Sequence, residues 1–325
     1  MIELLLTEPF RQEDTGRLSD IEGFTVSWSK EPSDEELKKT EALFGMPTVE
    51  QIQAAKNLRW VQIPMAGADR YTKRREEFPE GVTLTNLSGA FGQSISEFAL
   101  TMCLMLYKKM ELYRDNQKAH CWNDEGAQDS PAGKNLLILG AGDIGCETAR
   151  LFKGFDCHIT GVRRTAREIP EYFDRMITME DLDEALPEAD IIVAALPATP
   201  ETRGLFDRRR LSLLKPTALL INVGRGNLID TDALTKCLAD GQLGGAGLDV
   251  TDPEPLPENH PLWDLPNAII TPHVSGGTFG HLKATENALF DLCRKNMERY
   301  RKGEPLLNEV DLTAGYRKTE NRYHP

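Results

Sequence analysis

The sequence predicts an α/β protein with a doubly wound parallel sheet and a second, smaller α/β domain. Three observations support this fold class. Short apolar runs alternate with amphipathic segments along nearly the whole chain. The apolar run at residues 136–139 passes directly into Gly140, Gly142 and Gly145. The chain has 325 residues, which is enough for two domains of ordinary size.

Composition and charge exclude several classes of function. The formal net charge of -13 would repel nucleic acids and anionic membranes, so neither is expected as a partner. The first apolar run contains Glu3 and has no basic flank, so no signal peptide is predicted, and no run is long enough to span a bilayer. The six cysteines form no C-x-x-C pair. They predict reduced thiols, no metal site and a cytoplasmic location.

Residues 135–164 predict one βαβ unit with a G-x-G-x-x-G turn between the first strand and the helix. Gly140 permits the tight turn, Gly142 allows close approach of a pyrophosphate, and Gly145 lets the helix pack on the strand. The N–H groups of Asp143 and Ile144 at the positive end of the helix would face that diphosphate. The stretch therefore predicts a dinucleotide site, with a purely structural turn as the alternative.

The first 92 residues predict a small domain of the flavodoxin-like type. Its predicted strands are residues 2–6, 24–28, 60–63 and 82–85, and its predicted helices include residues 33–39 and 49–55. After the third strand, the small residues around Met65, Ala66 and Gly67 leave backbone N–H groups open to an anion. An ordinary βα turn is the alternative for this loop.

A long helix is predicted to join the two domains. Ser94 and Glu97 match a capping box, and apolar residues follow at helical spacing for roughly 25 residues. The predicted substrate domain comprises residues 1–98 and 290–325, and the predicted dinucleotide-binding domain comprises residues 99–289. A last helix at residues 281–301 is predicted to return the chain to the first domain, and the polar segment from Gly303 is predicted to be partly mobile.

Four more apolar runs, at residues 191–196, 218–223, 245–250 and 268–271, complete a predicted sheet of six strands. Ligands of such sheets bind outside the carboxyl ends of the strands, so the residues just after each strand are the candidates for function. Those residues are Gly140, Arg163, Pro197, Arg225, Asp249 and His273.

Arg225, Glu254 and His273 together offer the groups that reduction of a 2-oxo acid requires. Arg225 can hold a carboxylate with a forked pair of hydrogen bonds. His273 can give a proton to the developing alkoxide, and Glu254 can keep the imidazole charged. The alternative is a structural histidine at a strand end and a solvated glutamate in a proline-rich turn.

These motifs resemble the D-isomer-specific 2-hydroxyacid dehydrogenase family. The resemblance is carried by GAGDIG at 140–145, LPATPETRGLF at 196–206, INVGRGNLID at 221–230, GAGLDVTDPEPLP at 245–257 and ITPHVSGG at 270–277. It implies that Arg225, Glu254 and His273 are catalytic and that Asp249 contacts the nicotinamide carboxamide. It also implies that Ala66 and Gly67 bind the substrate carboxylate, beside a pocket shaped by Met65. Further cofactor contacts are implied for the matching residues Pro197, Thr202, Val223 and Gly276, and a homodimer is implied through the cofactor domain.

The cofactor prediction is NADP(H), with NAD(H) as the alternative. NAD-using members of the family carry an acid at the end of the second strand, where this chain has Arg163 followed by Arg164. An acid would bind the ribose 2′-OH, whereas arginine favours a 2′-phosphate. Two solvated surface arginines are the alternative.

Two other functions stay open at this point. One is a formate or phosphite dehydrogenase, although formate enzymes of the resembled superfamily carry glutamine where this chain has Glu254. The other is a non-catalytic, nucleotide-sensing protein similar to co-repressors on the same scaffold. The side chain of the substrate is not specified: glyoxylate, hydroxypyruvate and pyruvate all fit the motifs. Cys146, at the start of the glycine-turn helix, is predicted to pack, with a thiol of lowered pKa as the alternative.

Overall fold

The computed structural model describes residues 1–8, 12–164, 169–277, 282–318 and 320–323. The chain forms two compact units, residues 1–91 with 277–325, and residues 92–276. The predicted domain boundaries, after residues 98 and 289, fall inside two helices, Gly92–Tyr107 and Lys283–Lys302. The units instead divide just before the first of these helices and ahead of the second. This division leaves each helix intact within one unit.

The first unit contains a five-stranded parallel sheet in the order β2-β1-β3-β4-β5. This is the flavodoxin-like order, as predicted. Its strands are β1 (Ile2–Leu6), β2 (Phe24–Trp28), β3 (Ala42–Phe44), β4 (Trp60–Gln62) and β5 (Thr83–Thr85). Its helices in this part of the chain are α1 (Gln12–Ser19), α2 (Asp34–Lys39), α3 (Val49–Ala54) and α4 (Asp69–Thr72). Strand β3 was not predicted, because three buried residues are too few to show a period.

The second unit contains a seven-stranded parallel sheet in the order β12-β11-β10-β9-β6-β7-β8. Its strands are β6 (Asn135–Leu139), β7 (His158–Val162), β8 (Arg175–Ile177), β9 (Ile191–Ala194), β10 (Leu219–Asn222), β11 (Gly245–Leu248) and β12 (Ala268–Ile270). The order reverses between β6 and β9, which is where doubly wound sheets bind dinucleotides. The six predicted strands are present, and the seventh, β8, is a three-residue edge strand that the sequence did not reveal.

The helices of the second unit are α5 (Gly92–Tyr107), α6 (Met110–Lys118), α7 (Asp143–Lys153), α8 (Leu182–Ala185), α9 (Arg208–Leu211) and α10 (Thr231–Ala239). The core lies on the central strands, whose residues are buried throughout β9, β10 and β11. Such strands read as continuous apolar runs because both faces of the sheet are covered. Among the described residues, no helix is long and apolar enough to cross a bilayer.

The predicted single helix of roughly 25 residues is wrong in two respects. Lys109 adopts a left-handed conformation, with φ of 53°, and divides it into α5 and α6. The predicted capping box is also absent, because α5 begins at Gly92 and Ser94 lies inside it. The Ser94 hydroxyl donates to the carbonyl oxygen of Ser275 at 2.6 Å, and Glu97 accepts from Gln93.

Beyond Gly303, the described residues 304–318 and 320–323 pack onto the first unit, and their partial mobility stays a prediction. The last helix, α11 (Lys283–Lys302), is followed by a hairpin of β13 (Val310–Asp311) and β14 (Tyr316–Arg317). His281, the predicted first residue of this helix, lies outside the described residues. Leu306 is buried and Tyr323 is only 2% exposed, so apolar contacts hold this polar stretch of sequence in place.

Candidate active site

The glycine turn after β6 fits a dinucleotide. An added Cβ at Gly140 would lie 2.8 Å from the Ala195 carbonyl oxygen, and one at Gly145 would lie 2.2 Å from that of Gly140. Packing of the protein on itself therefore explains those two glycines. At Gly142 an added Cβ would meet nothing within 4 Å. Gly142 is the N-cap residue of α7, and no side chain at this position bonds the first N–H groups of the helix. These N–H groups can therefore bind a pyrophosphate.

Asp143 places an acid in the first turn of α7, next to the predicted diphosphate position. Its carboxylate oxygens lie 2.9 and 3.0 Å from where a Cβ on Gly92 would stand. The side chain thus lies against the first residue of α5, where negative charge is favourable. The contact of the Asp143 and Ile144 N–H groups with a diphosphate stays a prediction.

Arg163 and Arg164 follow β7 beside the glycine turn. The Arg163 guanidinium donates through Nε to the Ala141 carbonyl oxygen at 2.9 Å. A hydrogen bond from the Thr199 hydroxyl lowers the pKa of Glu201, and the positive charge of Arg164 lowers it further. Arg164 is exposed. Arg163 therefore borders the turn, where the ribose end of a dinucleotide is expected, and Arg164 is the next residue in the chain.

Cys146 is a packing residue in this geometry. It is half-buried in α7, and burial raises the pKa of its thiol, an effect that the nearby Arg163 only partly offsets. Burial therefore outweighs the nearby positive charge, which favours packing over the alternative of a thiol with a lowered pKa.

Arg225 lies in a turn that two glycines hold between neighbouring loops. An added Cβ at Gly224 would lie 2.7 Å from the Leu196 carbonyl oxygen. One at Gly226 would lie 1.9 Å from the carbonyl oxygen of Thr251. The turn after β10 is thereby fixed against the loops after β9 and β11, and Arg225 Nη1 donates to the Gly224 carbonyl oxygen at 2.8 Å.

His273 and Glu254 are brought together from loops after β12 and β11. The imidazole Nδ1 lies 2.7 Å from Glu254 Oε1, and both side chains are about half exposed, at 47% and 45%. With Nδ1 bonded to the carboxylate, the other ring nitrogen is the one available to exchange a proton. The three candidates Arg225, Glu254 and His273 therefore follow three adjacent strands at one edge of the sheet.

Asp249 holds the turn that carries His273. Its carboxylate is 1% exposed and accepts from Thr271 Oγ1 at 2.7 Å, Val274 N at 2.9 Å and Ser275 N at 3.1 Å. Its backbone carbonyl oxygen also accepts from His273 N. His273 has a left-handed φ of 56°, so these bonds fix a backbone conformation that is uncommon outside glycine. The predicted contact of Asp249 with a carboxamide stays a prediction beside this structural role.

The remaining predicted cofactor residues lie on the same edge of the sheet. Thr202 is buried, accepts from Thr199 N and donates to the Pro197 carbonyl oxygen at 2.7 Å, so its hydroxyl shapes the loop after β9. Val223 is buried directly after β10. Gly276 ends the His273 turn.

Sequence reasoning missed two residues that support the site. Asn222, fully buried at the end of β10, donates to the Arg225 carbonyl oxygen and accepts from Gly224 N. A polar residue ending an otherwise apolar strand is a signal that could have revealed it. Ser94, predicted as a helix cap, instead supports the His273 turn through Ser275, and nothing in the sequence indicates that contact.

In the first unit, the predicted carboxylate loop follows β4. Met65 is 43% exposed, and Ala66 and Gly67 are partly exposed. The carbonyl oxygens of Met65 and Ala66 accept from Leu87 N and Asn86 Nδ2. This loop is thus fixed to the one that follows β5.

Comparison with known proteins identifies the family. Residues 100–275 match the model of the D-isomer specific 2-hydroxyacid dehydrogenase NAD-binding domain. The chain belongs to this family. A glyoxylate reductase of Thermococcus gammatolerans is 34% identical over 233 residues, covering 69% of this chain and 68% of the relative.

Two solved structures extend the likeness to nearly the full length. A D-isomer specific 2-hydroxyacid dehydrogenase family protein from Aeromonas salmonicida has a TM-score of 0.85 at 33% identity, covering 96% of this chain and 99% of that chain. The NADPH-dependent glyoxylate/hydroxypyruvate reductase of Sinorhizobium meliloti, solved with NADP and sulfate, has a TM-score of 0.82 at 27% identity. It covers 97% of this chain and 100% of that chain. The dehydrogenase described here is therefore an oxidoreductase of 2-hydroxy acids that uses a nicotinamide dinucleotide.

Proposed function

We propose that this dehydrogenase reduces a small 2-oxo acid to the D-2-hydroxy acid, with NADPH preferred over NADH. The observation that carries the proposal is the 2.7 Å contact between His273 and Glu254. Glu254 follows β11, which lies between β10, the strand before Arg225, and β12, the strand before His273. Glyoxylate and hydroxypyruvate are the proposed substrates, since two similar proteins are named as reductases of these acids.

Each residue has a distinct role in this proposal. Arg225 binds the substrate carboxylate through its planar guanidinium and so orients the adjacent carbonyl. His273 donates a proton to the carbonyl oxygen as negative charge develops there, and it accepts that proton in the reverse direction. Glu254 orients the imidazole through its contact with Nδ1. The bound nicotinamide supplies the hydride, and the backbone at Ala66 and Gly67 gives a second contact to the carboxylate.

Loss of NADPH absorbance with a panel of glyoxylate, hydroxypyruvate and pyruvate tests the proposal directly. We expect turnover of glyoxylate and hydroxypyruvate, and a D-configured product from hydroxypyruvate. Binding of NADPH with no turnover of any member of the panel would favour the nucleotide-sensing alternative. Formation of NADH or NADPH from formate and the oxidised dinucleotide would favour the formate alternative, which Glu254 in place of glutamine disfavours.

The cofactor preference gives a separate prediction. Arg163→Ser is expected to weaken NADPH binding by a factor on the order of ten or more, because a charged hydrogen bond to the 2′-phosphate is lost. NADH binding should change little. Dissociation constants for both dinucleotides, measured by fluorescence titration, check this prediction.

Arg175→Ser is the matched control, since Arg175 begins β8 at the opposite, amino edge of the sheet and is exposed. It should leave both constants at the wild-type values. A wild-type enzyme that uses NADH more efficiently than NADPH would contradict the preference.

We further propose that the protein is a homodimer in the cytoplasm. Trp122 is fully exposed and Met110 is 49% exposed, both in the stretch that follows α5. Met110 begins α6, whereas Trp122 lies in residues 121–130, which contain no helix or strand. Tryptophan is enriched at protein interfaces, and we propose a second copy of this chain as the partner that covers Trp122.

Trp122→Ser is expected to shift the protein towards monomer. Light scattering during size-exclusion chromatography at several protein concentrations measures the change. Trp28→Ser, at a tryptophan that is 54% exposed on edge strand β2, is the control and should leave the mass unchanged. A monomeric wild-type protein would contradict the proposal.

A further inference from the structure

Two carbonyl groups of the loop after β4 are fixed by the loop after β5. Asn86 Nδ2 donates to the Ala66 carbonyl oxygen at 2.7 Å, and Leu87 N donates to that of Met65 at 2.9 Å. A trans peptide unit is planar, and its C=O and N–H point in opposite directions. Holding the carbonyls of Met65 and Ala66 therefore turns the N–H groups of Ala66 and Gly67 to the other side of the loop.

The side chain of Asn86 bonds both loops, because its amide carries a donor and an acceptor. It is 1% exposed, and while Nδ2 binds Ala66, Oδ1 accepts from Ser88 N at 3.2 Å. An amide satisfies both contacts, whereas a carboxylate of the same size has no donor for the Ala66 oxygen. The residue type is therefore required by the loop geometry.

Asn86 is held in turn by Asn308, which is fully buried and 222 residues away in sequence. Asn86 N donates to the Asn308 carbonyl oxygen at 3.1 Å. Asn308 Nδ2 donates to the carbonyl oxygens of Asn86 at 3.2 Å and Ser88 at 2.6 Å. Asn308 adopts φ of 56°, a conformation that asparagine tolerates better than most residues.

The chain beyond β13 completes this network. Arg317 Nη1 donates to Asn308 Oδ1 at 3.1 Å and to the Ser88 carbonyl oxygen at 3.2 Å, and Tyr323 N donates to Asn308 Oδ1 at 2.9 Å. Gly89 has φ of 97°, and an added Cβ there would lie 2.8 Å from the Tyr323 carbonyl oxygen. The residues from 308 to 323 therefore close directly on the turn that carries Asn86.

We propose that Asn86 is a positioning residue for the 2-oxo acid, and that Asn308 and Arg317 hold it in place. It acts through the loop after β4, by directing the N–H groups of Ala66 and Gly67 at the substrate carboxylate. This inference rests on the proposed function, which makes that loop a carboxylate site. It adds a buried polar network that extends from that site to Tyr323.

Asn86→Asp is the decisive variant, because it keeps the size and the Ser88 contact but puts an oxygen against the Ala66 oxygen. The KM for glyoxylate is expected to rise about tenfold or more, with a much smaller change in kcat. The Kd for NADPH should match the wild type. A general loss of folding would lower kcat or the active fraction instead of raising this one KM.

Hydrogen exchange at Leu87 supplies a readout that does not need activity. Its N–H bonds to Met65, so exchange of a peptide spanning residues 85–91 should quicken in Asn86→Asp. Asn57→Asp is the matched control, since Asn57 Nδ2 also donates to a carbonyl oxygen, that of Lys38, at an exposed position. It should change neither KM nor the exchange of this peptide.

Arg317 gives a second, milder test. Arg317→Met is expected to raise KM for glyoxylate a few-fold, and Arg317→Lys to restore part of the loss, because a cationic donor is regained.

An active wild type with an unchanged KM in Asn86→Asp overturns the inference and leaves the proposed function standing. A wild type that reduces no 2-oxo acid overturns the proposed function, and exchange at Leu87 then decides whether Asn86 holds the loop. Unchanged exchange overturns the inference in either case.

Discussion

His273→Gln is expected to lower kcat for glyoxylate reduction on the order of a hundredfold or more, because glutamine cannot deliver the proton that the developing alkoxide needs. The Kd for NADPH should stay close to the wild-type value. His273 follows β12 and contacts Glu254, whereas the glycine turn that is predicted to bind the cofactor follows β6. Steady-state kinetics together with a fluorescence titration of NADPH separate the two effects.

His158→Gln is the control for this experiment. His158 is exposed and begins β7, at the amino edge of the sheet, opposite the edge that carries His273. It should leave kcat and the Kd for NADPH unchanged. Wild-type turnover in His273→Gln would show that another group supplies the proton, and the mechanism would have to be reassigned.

Arg225→Lys is expected to lower kcat/KM for glyoxylate by a factor on the order of a hundred. Lysine keeps the charge but loses the planar pair of N–H groups that orients a carboxylate. The turn fixes the guanidinium by its bond to the Gly224 carbonyl oxygen and by the close approach of Gly226 to Thr251, so a flexible ammonium cannot reproduce its direction. Both KM and kcat should change, since binding and orientation are lost together.

Arg209→Lys is the matched control, because Arg209 is an exposed arginine paired with Asp183 on the surface. Its kcat/KM should equal that of the wild type. If Arg225→Lys also retained wild-type kcat/KM, the carboxylate would have to be bound elsewhere, and Arg225 would have only its structural role in the turn.

Local sequence patterns predicted the parts of the fold that depend on near neighbours in the chain. The continuous apolar runs gave the central strands, and the spacing of Gly140, Gly142 and Gly145 gave the turn after β6. The same patterns failed for β3 and β8, which have three residues each and show no period. The predicted helix cap at Ser94 was also wrong, because the Ser94 hydroxyl instead donates to the carbonyl oxygen of Ser275, which is distant in sequence.

Candidate site residues were predictable by type and position. Arg225, Glu254 and His273 follow predicted strands, and parallel strands place their carboxyl ends at one edge. Their partners were less accessible to the same reasoning. Asp249 has three donors in the turn at residues 271–275, and none of those contacts leaves a mark in the local sequence.

By itself, the sequence determined the α/β class of both units, the glycine turn and the residue types at the strand ends. Each of these features depends on a few consecutive residues. Only the tertiary structure decided that Glu254 meets His273, that Asp143 lies against Gly92, and that Asn308 supports Asn86. Those contacts join positions far apart in the chain. They arise because the folded backbone brings loops and helix ends from different parts of the sequence together. For the buried pair Asn86 and Asn308, each polar group must also have a hydrogen-bond partner inside the protein.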